Sequence, residues 1–296
     1  MTRFSRRDFF KTAAGAAGAL ATGSNAVAAG KRSATDWVPL GNSGVKVTRL
    51  AFGTGTFGGR VQRELGQEQF TRLVRHAYDR GIRFFETADN YREMQVMLAA
   101  ALKGIPRDSY KLMTKYRLRE ADAKATIDRQ RKELNSEYFD ILLLHCVRGA
   151  NWNSDYERLR DEFSEAKQKK VILAHGASCH GLLPLRAFPG NKWLDVALMR
   201  VNHDGTRMDT LHGNDSIPDK GDVSEVTSHI AKVHGQGTGV IGMKIIGEGQ
   251  FTDPEQREKS IRYVMGLGTV DAVTIGYKSP AEIDEAIARI NSALNS

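Results

Sequence analysis

The stretch Phe139-Asp140-Ile141-Leu142-Leu143-Leu144-His145 decides the fold. From Ile141 to Leu144 it is unbroken aliphatic. A strand wetted on one face alternates apolar and polar residues, whereas a strand covered on both faces reads as a continuous apolar run. Similar short runs occur at Val47–Gly53, Ile82–Thr87, Tyr110–Lys115, Val171–Ser178, Leu194–Val201, Val240–Ile245 and Ala272–Gly276. Between them lie stretches with helical character. Gln67–Arg80 places Phe70, Leu73, Val74 and Ala77 on one face and stops at Gly81. Arg92–Lys103, Ala121–Leu134, Asp155–Lys169, Val223–Val233, Pro254–Met265 and Pro280–Leu294 follow, with a shorter His180–Phe188 that Pro184 interrupts. Pro254 and Pro280 fall near helix starts, where a missing N–H costs nothing.

Eight strand–helix alternations without an antiparallel break predict an α/β fold of the (β/α)8 TIM-barrel kind rather than a doubly wound open sheet. An open sheet would hold a dinucleotide on G-x-G-x-x-G after its first strand. Gly53, Gly55 and Gly58 have that spacing, but no helix is expected to open on them, and a lone match is weak. Upstream, Trp37–Thr48 reads as a hairpin turning at Gly41–Gly44, suited to close the barrel floor. The polar stretch Asn202–Gly221 is long for a βα loop, and loops of that length tend to be functional or disordered.

Composition fits this reading. The chain of 296 residues is 41% hydrophobic and 26% charged, as an ordinary globular protein is. Of its net charge of +8, three units fall in residues 1–29. The other basic residues are scattered, and Lys167, Lys169 and Lys170 complement a helix C-terminus. No basic stripe is interleaved with aromatics, which argues against nucleic acid as a partner. Cys146 and Cys179 have neither a C-x-x-C nor a zinc-ligand spacing and read as two buried thiols.

The amino terminus reads as an address. Ser5-Arg6-Arg7-Asp8-Phe9-Phe10-Lys11 resembles the twin-arginine export signal. Thr12–Ala29 is rich in Ala and Gly, too weakly apolar for a stable membrane anchor, and Ala26-Val27-Ala28 offers an A-x-A cleavage site. Residues 1–29 are therefore read as a signal peptide and 30–296 as the barrel domain. The resemblance implies a protein carried folded by the twin-arginine translocation machinery to a periplasmic or other extracytoplasmic compartment.

In such barrels the reacting groups stand at the carboxyl ends of the strands. Glu86 and Tyr91 follow strand two, Lys115 ends strand three and His145 ends strand four. An acid, a phenol, an amine and an imidazole facing one mouth form an acid–base constellation. A free phenol, with a pKa of about 10, is a weak proton donor at neutral pH, and a neighbouring ammonium favours its ionised form. Asp89 reads as a helix N-cap. Phe57 and Trp152, on βα loops, are candidates either for a pocket wall or for ordinary packing.

These same residues resemble the aldo-keto reductase family. Phe84-Phe85-Glu86-Thr87-Ala88-Asp89-Asn90-Tyr91 is similar to its F-[FD]-D-T-A-x-x-Y segment, and Leu112-Met113-Thr114-Lys115 to its strand-three lysine segment. Asp140–His145 resembles D-L-x-L-x-H, and Gly176-Ala177-Ser178 a G-x-S-N turn. The likeness runs from Val38 to the carboxyl terminus. It implies reduction of a small aldehyde or ketone, or oxidation of the alcohol, with NADPH or NADH as hydride carrier. Tyr91 would then be the proton donor, Lys115 would tune it, and His145 would orient the substrate. For the cofactor it implies Thr54, Gly55, Ser178, Cys179, Met199, Met243, Lys244, Gly247, Lys278 and Ser279.

Several positions depart from the family pattern. Glu86 replaces an aspartate, Cys179 an asparagine, Met199 a glutamine, and Met243 a residue that is often aromatic. Glu282 stands where many members carry an arginine, which argues against tight recognition of a 2′-phosphate. Two other functions stay open at this point. One is a catalytically degenerate nucleotide-binding barrel acting as a regulatory or interaction subunit; the other uses Lys115 as a Schiff-base amine.

Overall fold

The computed structural model describes residues 31–118, 122–211 and 220–296. The twin-arginine segment and the A-x-A site lie outside the described residues. Eight strands form a closed barrel: β3 (Leu50–Gly53), β4 (Phe84–Glu86), β5 (Lys111–Arg117), β6 (Phe139–Val147), β7 (Ile172–Cys179), β8 (Val196–Arg200), β9 (Gly239–Met243) and β10 (Ala272–Gly276). They pair in chain order, every pair parallel, and β10 closes on β3. The helices between them are α1 (Arg60–Arg63), α2 (Gly66–Asp79), α3 (Met94–Leu102), α4 (Ala123–Glu133), α5 (Trp152–Asp155), α6 (Glu157–Gln168), α7 (Leu182–Ala187), α8 (Val223–Gly235), α9 (Pro254–Gly266) and α10 (Pro280–Leu294). Among the described residues no helix is long and apolar enough to cross a membrane.

The barrel has two apolar layers, divided by the period-2 direction of strand side chains. Ala51, Phe84, Met113, Ile141, Leu143, Ala174, Val196, Leu198, Ile241 and Ala272 point inward and fill the barrel. Their strand neighbours, such as Phe52, Phe85, Leu112, Leu142 and Ala197, point outward and meet the helices. From α2, Phe70, Leu73, Val74 and Ala77 are all buried in this outer layer, and Phe70 meets Phe52 edge-on at 6.0 Å.

The floor is the expected hairpin. β1 (Trp37–Pro39) pairs antiparallel with β2 (Lys46–Thr48). Val38, Leu40, Val45 and Val47 join the inner cluster. Gly41 bridges Thr238, just ahead of β9, which places the hairpin at the amino ends of the strands. With φ +46° and a Cβ that would fall 2.3 Å from the Gly237 carbonyl, Gly41 has no room for a side chain.

Local expectations needed correction at several points. Val47 and Thr48 belong to the hairpin, so the first barrel strand begins at Leu50. The expected helix over Asp155–Lys169 is α6, Glu157–Gln168, and a separate one-turn helix, α5, precedes it across Tyr156. A one-turn helix, α1, does open just past Gly58, with Gly59 left-handed at its start. Asp89 is not a helix N-cap: α3 begins after Glu93, and Asp89 instead accepts from the Arg117 backbone N–H at 3.0 Å. Trp152 is fully buried against Phe188, at 5.2 Å between rings, and serves packing alone.

Candidate active site

The inward period places the candidate acid–base groups. Glu86 lies two residues beyond Phe84, Lys115 two beyond Met113, and His145 two beyond Leu143, so each continues an inward-pointing row at the carboxyl end of its strand. Lys115 and Glu86 form a buried ion pair, with side chains 2% and 5% exposed. The Lys115 Nζ also donates to the Thr87 carbonyl at 2.7 Å. On the other side of the carboxylate, the Thr274 hydroxyl from β10 donates to Glu86 Oε2 at 3.3 Å. Charge buried this deeply holds its place only when paired and further hydrogen-bonded, and both conditions are met here.

Tyr91 comes from the loop between β4 and α3 and leans over this pair. The Lys115 Nζ is 4.8 Å from the centre of its ring, within cation–π range. The His145 ring stands edge-on to it at 5.5 Å. Gly55, opposite, makes room: a Cβ there would lie 2.6 Å from the Tyr91 hydroxyl oxygen. The phenol, ammonium, carboxylate and imidazole thus occupy one patch at the rim of a cavity of about 740 Å³.

The cavity has two parts. The mouth is bounded by Gly53, Tyr91, His145, His180, Leu198 and Met243. An arm then runs past Lys244 and the turn Gly247–Gly249 toward Tyr277, Lys278 and α10. Its volume falls in the range of small-molecule and cofactor sites. Tyr277 is buried in its wall, its hydroxyl has no hydrogen-bond partner among the described residues, and burial pushes its pKa upward. Gly276 keeps the backbone bare beside it, since a Cβ there would strike the Thr56 hydroxyl at 2.2 Å. An elongated cavity whose glycine walls leave the backbone bare fits an extended ligand. Among the described residues there is no cluster of His, Cys, Asp and Glu able to hold a metal ion.

Residues 49–293 match the sequence profile of the aldo/keto reductase family. The chain belongs to that family. Among curated proteins, "Probable aldo-keto reductase 1" of Glycine max is 27% identical over 124 residues, which cover 37% of this chain and 36% of the relative. L-galactose dehydrogenase of Arabidopsis thaliana is 33% identical over 119 residues, covering 36% and 37%. The matched stretch spans little more than a third of either relative. Among solved structures, the holo form of an aldo-keto reductase from Bacillus halodurans superposes with a TM-score of 0.67 at 17% identity, covering 88% of this chain and 95% of the other. An aldo/keto reductase from Klebsiella pneumoniae, in complex with NADP and acetate, gives 0.63 at 13% identity, covering 88% and 90%. At those identities the structures show the fold alone.

Within this aldo/keto reductase barrel, the residues that the family likeness pointed to as cofactor contacts divide into two groups. Gly55, Met243, Lys244 and Lys278 line the cavity. The others stand outside its lining. Met199 points outward into the barrel–helix layer, and its neighbour Leu198 faces the cavity instead. A one-residue offset on a strand reverses the face. Cys179 likewise points outward, fully buried; burial raises the pKa of its thiol well above the ordinary value, and the nearby Asp209 adds to the rise. Ser178 is buried, and its hydroxyl accepts from the Cys146 N–H at 2.8 Å. Thr54 is fully buried beside the lining residues Gly53 and Gly55. Gly247 lies under the ring of Phe251. Ser279 caps α10, accepting from the Glu282 N–H at 3.4 Å, while Glu282 accepts from the Lys278 N–H at 2.8 Å. This is a variant of the capping box, and it sets a carboxylate at the helix N-terminus.

His180 is the mouth residue that the sequence reading did not single out. Its ring is 6.4 Å from that of His145. Arg200, the inward residue at the end of β8, donates through Nη2 to His180 Nδ1. Arginine only donates, so Nδ1 is the acceptor, and the neutral imidazole carries its proton on Nε2, 3.4 Å from Cys146 Sγ. Arg200 is held in turn by Asp209 at 3.7 Å, and Asp209 accepts from the Gly181 N–H at 2.7 Å. Only the G-A-S-C-H run hinted at His180, because its neighbours are brought to it by β8 and the following loop. Cys146 is part-exposed, with φ +60° at the bulge in β6, and neither it nor Cys179 is in a disulfide, so the expectation of two buried thiols holds for Cys179 alone.

Proposed function

We propose that the chain is an NAD(P)-dependent oxidoreductase that reduces a small aldehyde or ketone, with Tyr91 as the proton donor. The observation that carries this reading is the convergence of Tyr91, Lys115, Glu86 and His145 at one end of an elongated cavity. When bound, a nicotinamide dinucleotide supplies the hydride. Gly55, Met243, Lys244 and Lys278 line the space that would hold it. The substrate oxygen is placed between Tyr91 and His145. Tyr91 releases its hydroxyl proton to that oxygen. The Lys115 ammonium, fixed by Glu86 and the Thr87 carbonyl, stabilises the phenolate left behind. His145, edge-on to the phenol, positions the carbonyl by donating a hydrogen bond to it.

Fluorescence titration with NADH and NADPH, followed by hydride transfer to a panel of small aldehydes, tests the reading. Binding and turnover are expected. Failure to bind either nucleotide would defeat it, and binding without turnover on any carbonyl would favour a regulatory nucleotide-binding barrel.

The export reading is proposed alongside it, on Ser5–Lys11 and Ala26–Ala28. The double substitution Arg6→Lys and Arg7→Lys is expected to leave the precursor in the cytoplasm, as read by fractionation. Undiminished export would refute a twin-arginine route.

A further inference from the structure

Glu248 is the feature of the cavity that carbonyl reduction leaves unexplained. It stands in the turn Gly247–Gly249, where three successive residues have φ of 60°, 55° and 86°. Left-handed backbone is unfavourable for a side-chain-bearing residue unless its surroundings enforce it. What enforces it here is the carboxylate, only 10% exposed, on which donors from three separate βα loops converge. Lys244, after β9, forms an ion pair with Oε1. Arg207, after β8, brings Nε to 3.8 Å from Oε2. The Phe57 backbone N–H, after β3, donates to Oε1 at 3.4 Å. An ammonium, a guanidinium and a peptide N–H gathered from distant parts of the chain make an anion site, and the chain's own carboxylate fills it.

The position says which anion. Lys244 directly follows Met243 of the mouth, and the same cavity continues beyond Glu248 to Lys278 and α10. A ligand reaching from the mouth to α10 therefore passes this point at its middle. The other cations lining the arm are also committed: Arg257 to Glu285, Arg289 to Glu258 and Glu285, Lys278 to Glu282. We propose that the Glu248 carboxylate stands in for the diphosphate bridge of a dinucleotide and sets cofactor affinity by competing for Lys244, Arg207 and the Phe57 N–H. Resting on the nicotinamide reading, this identifies Glu248 as the residue that must yield its donors when the cofactor enters. A diphosphate carries more negative charge than one carboxylate and gains more from the same three donors.

Calorimetric titration of the full chain with inorganic pyrophosphate, and separately with NADH and NADPH, tests it in wild type, Glu248→Gln and Lys244→Gln. Glu248→Gln is expected to bind pyrophosphate and dinucleotide about tenfold more tightly than wild type, and Lys244→Gln about tenfold more weakly. Equal or weaker pyrophosphate binding by a folded Glu248→Gln overturns the proposal. If that variant does not fold, Lys244→Gln and Arg207→Gln decide it, and unchanged pyrophosphate binding in both overturns it. Tighter pyrophosphate binding with no dinucleotide binding upholds the anion site and defeats the nicotinamide reading. Dinucleotide binding that Glu248→Gln leaves unimproved does the reverse.

Discussion

The Lys115 ammonium and the Glu86 carboxylate meet inside the barrel mouth, on adjacent parallel strands, almost wholly out of water. Each is the condition for the other's burial. The longer glutamate, where the family pattern has aspartate, still reaches the lysine and also accepts from Thr274 across the closure of the barrel. The pair therefore belongs both to the stability of the barrel and to the proposed proton chemistry.

Removing one partner is expected to cost more than removing both. Glu86→Met or Lys115→Met alone leaves an uncompensated buried charge, at about 3–5 kcal/mol. The double variant Glu86→Met with Lys115→Met should lose distinctly less than the sum. Urea denaturation of the four proteins closes the cycle, and simple additivity would show that the two groups do not act as a pair.

Tyr91→Phe keeps the ring beside Lys115 and His145 and removes only the hydroxyl. Turnover should fall by at least about a hundredfold, the lower range for a positioned general acid, while nucleotide binding is unchanged. Retained turnover in steady-state assays would take Tyr91 out of the reaction.

Gly55→Ala tests the wall facing the phenol. The new Cβ would fall 2.6 Å from the Tyr91 hydroxyl oxygen, so the side chain has to move. A displacement of about 1 Å at a reacting group costs roughly a hundredfold in rate, so kcat should fall on that scale with little change in melting temperature. A fully active Gly55→Ala enzyme would show that the position of the phenol is not held by this wall.

His175, far from the mouth, gives the barrel a dependence on pH. It is buried, stacked on Trp193 at 4.4 Å, with Nδ1 3.3 Å from Asp195. Burial lowers its pKa below the ordinary 6.5, outweighing the pull of Asp195 in the other direction. Below that ordinary value the unfolded chain binds the proton more readily than the native state, so stability falls as pH drops. Above it the contribution is fully present. Burial lowers His203 and His229 in the same sense, so the comparison needed is with His175→Phe, which keeps an aromatic stack. The urea midpoint of wild type should drop more between pH 7.5 and 5.5 than that of the variant, and parallel curves would exclude His175 as a source.

Strand character was written locally. The run Ile141–Leu144 declared its burial on both faces through continuous apolarity, and the spacing of Phe70, Leu73, Val74 and Ala77 declared a helix with one buried side. Glu86, Tyr91, Lys115 and His145 were legible because each lies at or just past a strand end. Val47 belongs to the hairpin and not to the barrel, a difference its local sequence does not carry, because a β-branched residue suits either strand. The role of Asp89 is not local, because its partner, the Arg117 N–H, comes from the next βα unit.

By itself, the sequence determined the order of eight strand–helix units and the residues that close each strand, since these follow from side-chain periodicity and the stop signals of glycine and proline. Tertiary structure alone decided which side chains face the cavity and what they meet there. Leu198 faces it and Met199 does not because the barrel fixes the direction of each strand's pleat. Arg200 meets His180, and Arg207 and Phe57 meet Glu248, because closing the barrel brings together loops that lie far apart along the chain. Such meetings depend on three-dimensional distance and charge, which one-dimensional spacing does not carry.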